Sequence, residues 1–263
     1  MDAIEFYGLE RLERSRWRMP VVSQLCSGMG ALFGGAALGG LVEALEREAG
    51  RPLVWATGQY LSYAHPPEVL DIEVVLAVEG GSVTQARAIG SVDGREILTV
   101  NAALGRRAFP HAGQWAEMPS VPHPDDCEPR KLHYRHGGTI RERLDDRLAN
   151  AREPEDLSGE PSSGRASVWV RIKDAPITAS TLAIVGDYVP FGISQSLGER
   201  AGGNSLDNTL RVARLVDTEW ILADVHMHSI QDGFAHGRVH LWAQDGTLLA
   251  TASQSTIVRP WRP

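Results

Sequence analysis

Phe33-Gly34-Gly35-Ala36-Ala37-Leu38-Gly39-Gly40-Leu41-Val42-Glu43-Ala44-Leu45 is the stretch on which the fold turns. Leu32, Ala36, Leu41 and Leu45 recur at roughly helical spacing, which predicts a helix across 28–48. Two glycine pairs work against it, each glycine costing about 1 kcal/mol of helix propensity. Such a helix holds when it lies hard against a sheet, where a missing Cβ permits close approach.

The chain after this helix reads as β structure. Runs at 52–64, 68–79, 82–92 and 95–104 are strand-like, and Asp93-Gly94 between the last two is a strong hairpin signal. The second half repeats the order: a strand at 167–172, a weaker helix at 178–197, then strands at 206–215, 219–230, 234–243 and 247–258. Its last hairpin turns on Asp245-Gly246, 152 residues after Asp93-Gly94. Strand, helix and four strands, twice over, indicate an internal duplication.

Between the copies lies a different composition. It includes a charged run, Arg141-Glu142-Arg143-Leu144-Asp145-Asp146-Arg147, that reads as a short exposed helix, and a linker-like segment from Pro154 to Ser163. The expected division is an N-terminal unit at 1–105, a partly disordered connector at 106–165 and a C-terminal unit at 166–263. The connector reads as a surface crossing, with a lid over a substrate channel as the other reading.

The bulk numbers exclude several classes. At 263 residues and 43% hydrophobic content the chain can bury a sizeable core. A net charge of −7 argues against a nucleic-acid partner, which needs clustered Lys and Arg. Cys26 and Cys127, the two cysteines, lack metal-like spacing and fit a reducing compartment. The acidic N-terminus lacks the order of a signal peptide, and no run of about 18 apolar residues predicts a membrane span. A cytoplasmic location is expected.

The order Phe33-Gly34-Gly35-x-x-Leu38, then Trp55–Tyr63, then Asp93-Gly94-Arg95, resembles the acyl-CoA thioesterases of the bacterial thioesterase II type. The likeness continues through Leu206-Asp207 and ends on Asp245-Gly246-x-Leu248-x-Ala250-x-x-x-Gln254, covering most of the chain outside the connector. It implies an α+β double hot-dog, two fused units in which an antiparallel sheet wraps a long helix. It also implies hydrolysis of an acyl-CoA to free acid and CoA without a cofactor. A homodimer or higher homo-oligomer is expected.

Thioester hydrolysis without a covalent nucleophile needs an oriented water, a group to polarise or deprotonate it, and donors for the oxyanion. In the family resembled, an Asp, a Gln and a Ser or Thr hydroxyl hold that water. Asp207 matches the Asp in its Leu-Asp context, and Gln254 matches the Gln on the final strand. Both are polar groups on what should be apolar strands, where they are costly unless hydrogen-bonded. The plain alternatives are a strand-edge or capping carboxylate and a solvent-facing amide.

The hydroxyl is expected on the strand after Trp220, near His226-Met227-His228-Ser229. Counting forward from Trp220 gives His228, with Ser229 adjacent but on the opposite strand face; both stand as candidates. An imidazole there opens two other functions: a non-catalytic acyl- or CoA-ester-binding protein, and an enoyl-CoA hydratase using His228 with Asp207. Asp187, in Gly186-Asp187-Tyr188 on the second-half helix, is a further candidate acid. In the first half the position matching Asp207 falls near Gly58-Gln59 and the one matching Gln254 near Ala102. The first site then lacks the acid, and Gln59 borders it.

Arg211, Arg214, Arg238, Arg259 and Arg262 are candidates to meet CoA phosphates. His226, His228, His236 and His240 invite a metal reading, set aside because no Glu lies among them. No G-x-S-x-G elbow occurs, which argues against serine-hydrolase chemistry.

Overall fold

A computed structural model describes residues 2–131 and 137–260. The helices are α1 (Ala3–Tyr7), α2 (Gly34–Ala49), α3 (Ala179–Gly186) and α4 (Phe191–Leu197). The strands of the first half are β1 (Glu10–Glu13), β2 (Arg16–Pro20), β3 (Leu53–Tyr60), β4 (Val69–Glu79), β5 (Val83–Val92) and β6 (Arg95–Gly105). Then come β7 (Glu128–Pro129), β8 (Leu144–Asn150), β9 (Arg165–Ile172), β10 (Ala201–Ser205), β11 (Asp207–Val212), β12 (Ile221–Gln231), β13 (Phe234–Ala243) and β14 (Leu248–Pro260).

The duplication is visible in the strand order. The first unit runs β2-β4-β5-β6-β3 and the second β9-β12-β13-β14-β11, the same antiparallel plan twice. β3 and β11 pair at the seam and join the two into one sheet. Thr57 faces Thr209 there, their hydroxyl oxygens 2.5 Å apart and the residues 152 apart in sequence. That is the spacing of the two Asp-Gly turns. Equivalent residues therefore meet at the seam, as they do where a local two-fold axis passes. The fold is the double hot-dog expected from the sequence.

The helix period of α2 was legible, but its glycines permit close approach to a helix rather than to the sheet the sequence suggested. A Cβ on Gly35 would stand 2.7 Å from the Ala183 carbonyl, and one on Gly39 would stand 2.5 Å from that of Ser180. These two positions, one turn apart, bring α2 against the backbone of α3. Residues 35–45 are buried throughout, with Leu38, Leu41, Val42 and Leu45 wholly so, and they form the core with strands of both units.

The second helix departs from expectation. The span 178–197 breaks into α3 and α4 because Pro190 has no N–H to continue the first. Asp187 therefore closes α3 as its C-cap rather than sitting mid-helix.

The described residues of the span expected as a connector include short strands and 3-10 turns. β8 pairs with β9 and β7 with β8, extending the second unit's sheet. The charged run predicted to be an exposed helix is one 3-10 turn at Ile140–Arg143 followed by β8. Alternation explains it: Leu144 and Asp146 are buried while their neighbours face outward. On the sheet face away from the helices, Trp169, Trp220, Leu222 and Trp242 cluster with Cys127. The Trp169 indole donates to the Pro122 carbonyl at 2.9 Å, which fastens the connector over this second cluster.

Candidate active site

Three elements converge where α3 ends. Asp187 faces the first turn of α2, whose Gly35 N–H donates to Oδ2 at 2.7 Å. Ser205, the last residue of β10, donates its hydroxyl to Oδ1 at 3.2 Å. Gln254 of β14 donates its Nε2 amide to the same Oδ1 and to Ser205 Oγ, the latter at 3.1 Å. Acid, hydroxyl and amide thus form a closed triangle.

Strand alternation puts Gln254 there. Ala252, two residues before it, lies under Gly186 of α3, so Gln254 shares the helix-facing side of β14. Both Asp187 and Gln254 are buried. Burial raises the Asp187 carboxyl, and the hydrogen bonds from Gln254, Gly35 and Ser205 pull it back down, leaving it at about 6. A carboxyl at that value is ionised at neutral pH yet basic enough to take a proton from water in a transition state.

Further polar groups surround the triangle. The Tyr60 hydroxyl, both amide atoms of Asn208 and Oε1 of Gln254 are buried without a hydrogen-bond partner among the described residues. In this chain the site thus combines one acid, one hydroxyl and two amides with a phenol from the other unit.

The sequence candidates divide accordingly. Gln254 and Asp187 are brought together. Asp207 is not joined to them: its carboxylate accepts the Ser255 N–H at 2.8 Å. The reason is local. Ser205 faces Thr256 and Thr209 faces Ser253, so residues 206–208 stand opposite only 254 and 255, and Asp207 sits in a bulge tying the two strands. Gln59 is its cross-strand partner on β3 and is exposed.

His228 and Ser229 lie on β12, with β13 and β14 between them and β11, and both are exposed. Neither joins the triangle, and no His228–Asp207 pair forms, because β12 bulges at His228 and the strand runs out to solvent. The hydroxyl that the structure brings to Asp187 and Gln254 is Ser205, which the sequence reading did not name. Its signal was present, a hydroxyl two residues before Asp207 in Asn204-Ser205-Leu206-Asp207, but the count had started from Trp220.

In the first unit the positions 152 residues earlier are Gly35, Leu53 and Ala102, none of which can act as acid, hydroxyl or amide. Arg211, Arg214, Arg238 and Arg259 are exposed on or beside β11, β13 and β14, and Arg262 lies outside the described residues. Two surface clefts, of about 380 Å³ beside Arg51 and about 470 Å³ beside Glu219, include none of the triangle.

Residues 124–258 match the family model of the acyl-CoA thioesterase C-terminal domain. Among solved structures, a protein of Novosphingobium aromaticivorans DSM 12444, provisionally named a thioesterase, is 34% identical with a TM-score of 0.82, over 95% of this chain and 97% of that one. An acyl-CoA thioesterase II of Mycobacterium marinum is 23% identical with a TM-score of 0.76, over 98% of each chain. A hot-dog protein of Alicyclobacillus acidocaldarius of unknown function is 19% identical with a TM-score of 0.85, over 99% of this chain and 98% of that one. Comparison with the curated proteins gives no match.

Proposed function

The chain belongs to the acyl-CoA thioesterase family, and from that premise we propose that Asp187, Ser205 and Gln254 activate water for the hydrolysis of an acyl-CoA to free acid and CoA. One observation carries the assignment: a buried carboxylate at about 6, tied to a hydroxyl and an amide, in a place where packing alone needs no polar group.

The roles follow from the geometry. Asp187 takes a proton from water as the water oxygen attacks the thioester carbon. Ser205 and Gln254 hold the carboxylate's Oδ1 and present oxygen atoms that can orient the water. The tetrahedral intermediate collapses with loss of the CoA thiolate, which takes the proton back from Asp187. The Gly35 N–H, in the first turn of α2, stabilises the ionised carboxylate with the positive end of the helix dipole behind it.

Free thiol released from a panel of acyl-CoAs, with a thiol reagent as the readout, tests this. Turnover by the native chain that Asp187→Asn abolishes is expected. Full activity in that variant would remove the assignment.

Two broader readings accompany it. Cys26 and Cys127 are both free and buried, which supports a reducing, cytoplasmic setting; fractionation of the producing cell tests it. Exposed aromatic surface at Phe109 and Trp115 supports assembly into a homodimer or higher homo-oligomer, tested by light scattering on the purified chain.

A further inference from the structure

We infer that Tyr60, with Asn208 beside it, binds the thioester carbonyl oxygen and stabilises the oxyanion, so that the first unit supplies the carbonyl site and the second activates the water. The inference rests on the hydrolase reading above and adds a residue to it.

The approach of the two groups is set by Gly34. A Cβ built on it would fall 2.8 Å from Asp187 Oδ2 and 3.2 Å from the Tyr60 hydroxyl. Only a glycine fits there, so the carboxylate and the phenol close from two sides on one point beside its Cα. It lies in the first turn of α2, where backbone N–H groups lack intrahelical partners and the helix dipole favours negative charge.

Neither the phenol nor the Asn208 amide is fully used. Among the described residues the Tyr60 hydroxyl makes no well-formed hydrogen bond, and the amide of the fully buried Asn208, itself without a well-formed partner, stands near enough to lower the phenol's pKa. Asn208 is the cross-strand partner of Gly58 on β3, which makes Tyr60 its diagonal neighbour. Buried polar groups are almost always paired in folded proteins, so unpaired ones beside a catalytic carboxylate call for a reason. A thioester carbonyl oxygen brought within reach would satisfy the phenol.

The charge pattern agrees with this use. Burial first, and the Asp187 carboxylate second, hold the Tyr60 phenol well above its usual value, so it remains a donor throughout the working range. A donor that stays neutral can face an oxyanion. As the oxyanion forms, Asp187 has just accepted the water's proton, so two negative charges never stand side by side. On collapse the C–S bond breaks, the thiolate leaves with the proton from Asp187, and the Tyr60 O–H stays intact.

Tyr60→Phe tests the inference, measured on acyl-CoA hydrolysis beside the native chain and Asp187→Asn. Losing one oxyanion donor lowers kcat by about 10²–10³-fold; KM should change little and the melting temperature should hold or rise, since a buried unpaired hydroxyl is gone. A second readout does not need turnover: the carbonyl stretch of an acyl-CoA bound to Asp187→Asn should lie below its solution value and return towards it in Asp187→Asn/Tyr60→Phe. A Tyr60→Phe variant within threefold of native kcat, or an unshifted carbonyl, overturns the role of Tyr60 while leaving the hydrolase standing. A native chain that hydrolyses no acyl-CoA overturns both.

Discussion

Gly35 and Asp187 are the same position in the two units, 152 residues apart, and the first donates its N–H to the carboxylate of the second at 2.7 Å. The duplication has thus been split into two tasks at one contact. One copy keeps the acid and the other gives it a backbone donor. Asp187→Asn separates function from stability at this point. Moving the carboxyl from 3.8 to about 6 corresponds to about 3 kcal/mol of burial cost at neutral pH. The neutral amide escapes that cost, with the Gln254 amide free to turn over. The expected outcome is activity down by about 10²–10⁴-fold with a melting temperature at pH 8 equal to or above the native one. Thermal scans beside thiol-release assays check both halves.

The same carboxyl sets the pH dependence. Its folded value lies above its unfolded one, so the folded state binds more protons between roughly pH 4 and pH 6, and this group's contribution to stability falls as pH rises through that window. Activity runs the other way. kcat/KM should rise tenfold per pH unit below about 6 and level off above it. A pH–rate profile flat from pH 5 to 8 would exclude Asp187 as the base.

Asp207 provides the contrast. It braces a bulge by accepting the Ser255 N–H at 2.8 Å, a structural bond worth about 1–3 kcal/mol. Asp207→Ala should lower the melting temperature by several degrees and reduce kcat by less than about tenfold through small shifts of Ser205 and Gln254. His228→Ala and Ser229→Ala, at exposed positions on β12, should leave both within about 0.5 kcal/mol of native. A loss in either as deep as that of Asp187→Asn contradicts the site drawn here.

These contrasts mark how far the sequence could be read. Period and turn chemistry are local, so the α2 helix, the Asp-Gly hairpins and their 152-residue repeat were legible. Gln254 was legible through its match to the family's glutamine on the final strand, whereas alternation alone left either face open to it. The partner of Gln254 was legible only as a further candidate, Asp187, behind Asp207. The choice between them depended on two non-local events, the break of the second helix at Pro190, which turns Asp187 toward α2, and the bulge at 206–208, which takes Asp207 out of line. A bulge shifts register by one residue without changing the hydrophobic pattern, so counting along β11 or β12 cannot reveal it. The burial of Asp146 escaped for a similar reason, since its arginine partners come from separate parts of the connector.

The α2–α3 contact tolerates no side chain at position 35. A Cβ on Gly35 would stand 2.7 Å from the Ala183 carbonyl, 2.8 Å from the Ile184 Cα and 2.9 Å from the Asp187 Cβ, and two of these neighbours are backbone. Gly35→Ala should cost about 1–3 kcal/mol by overpacking, despite the better helix propensity of alanine, and should lower kcat by moving Asp187. Denaturant midpoints and kcat measured together check it.

The connector bears on the site through Tyr188, the residue after Asp187. Its hydroxyl donates to Asp146 Oδ1 at 2.9 Å and accepts from Arg141 at 2.9 Å. Arg130 and Arg141 both meet the other carboxylate oxygen of Asp146, whose side chain is 2% exposed. Two guanidinium groups thus depend on one buried carboxylate. Removing it leaves buried positive charge uncompensated, and losses of about 3–5 kcal/mol follow from breaking such groups on one side. Asp146→Ala should therefore unfold at far lower denaturant than the native chain, and kcat should fall with it, because the segment that holds Asp187 loses its anchor. Lys131 and Glu155 supply the control from the same connector: their ion pair at 2.9 Å has side chains 62% and 37% exposed, where such pairs contribute about 0–1 kcal/mol. Lys131→Ala should leave stability and kcat near native. Equal effects of the two substitutions would mean that the Asp146 network carries no more than a surface pair.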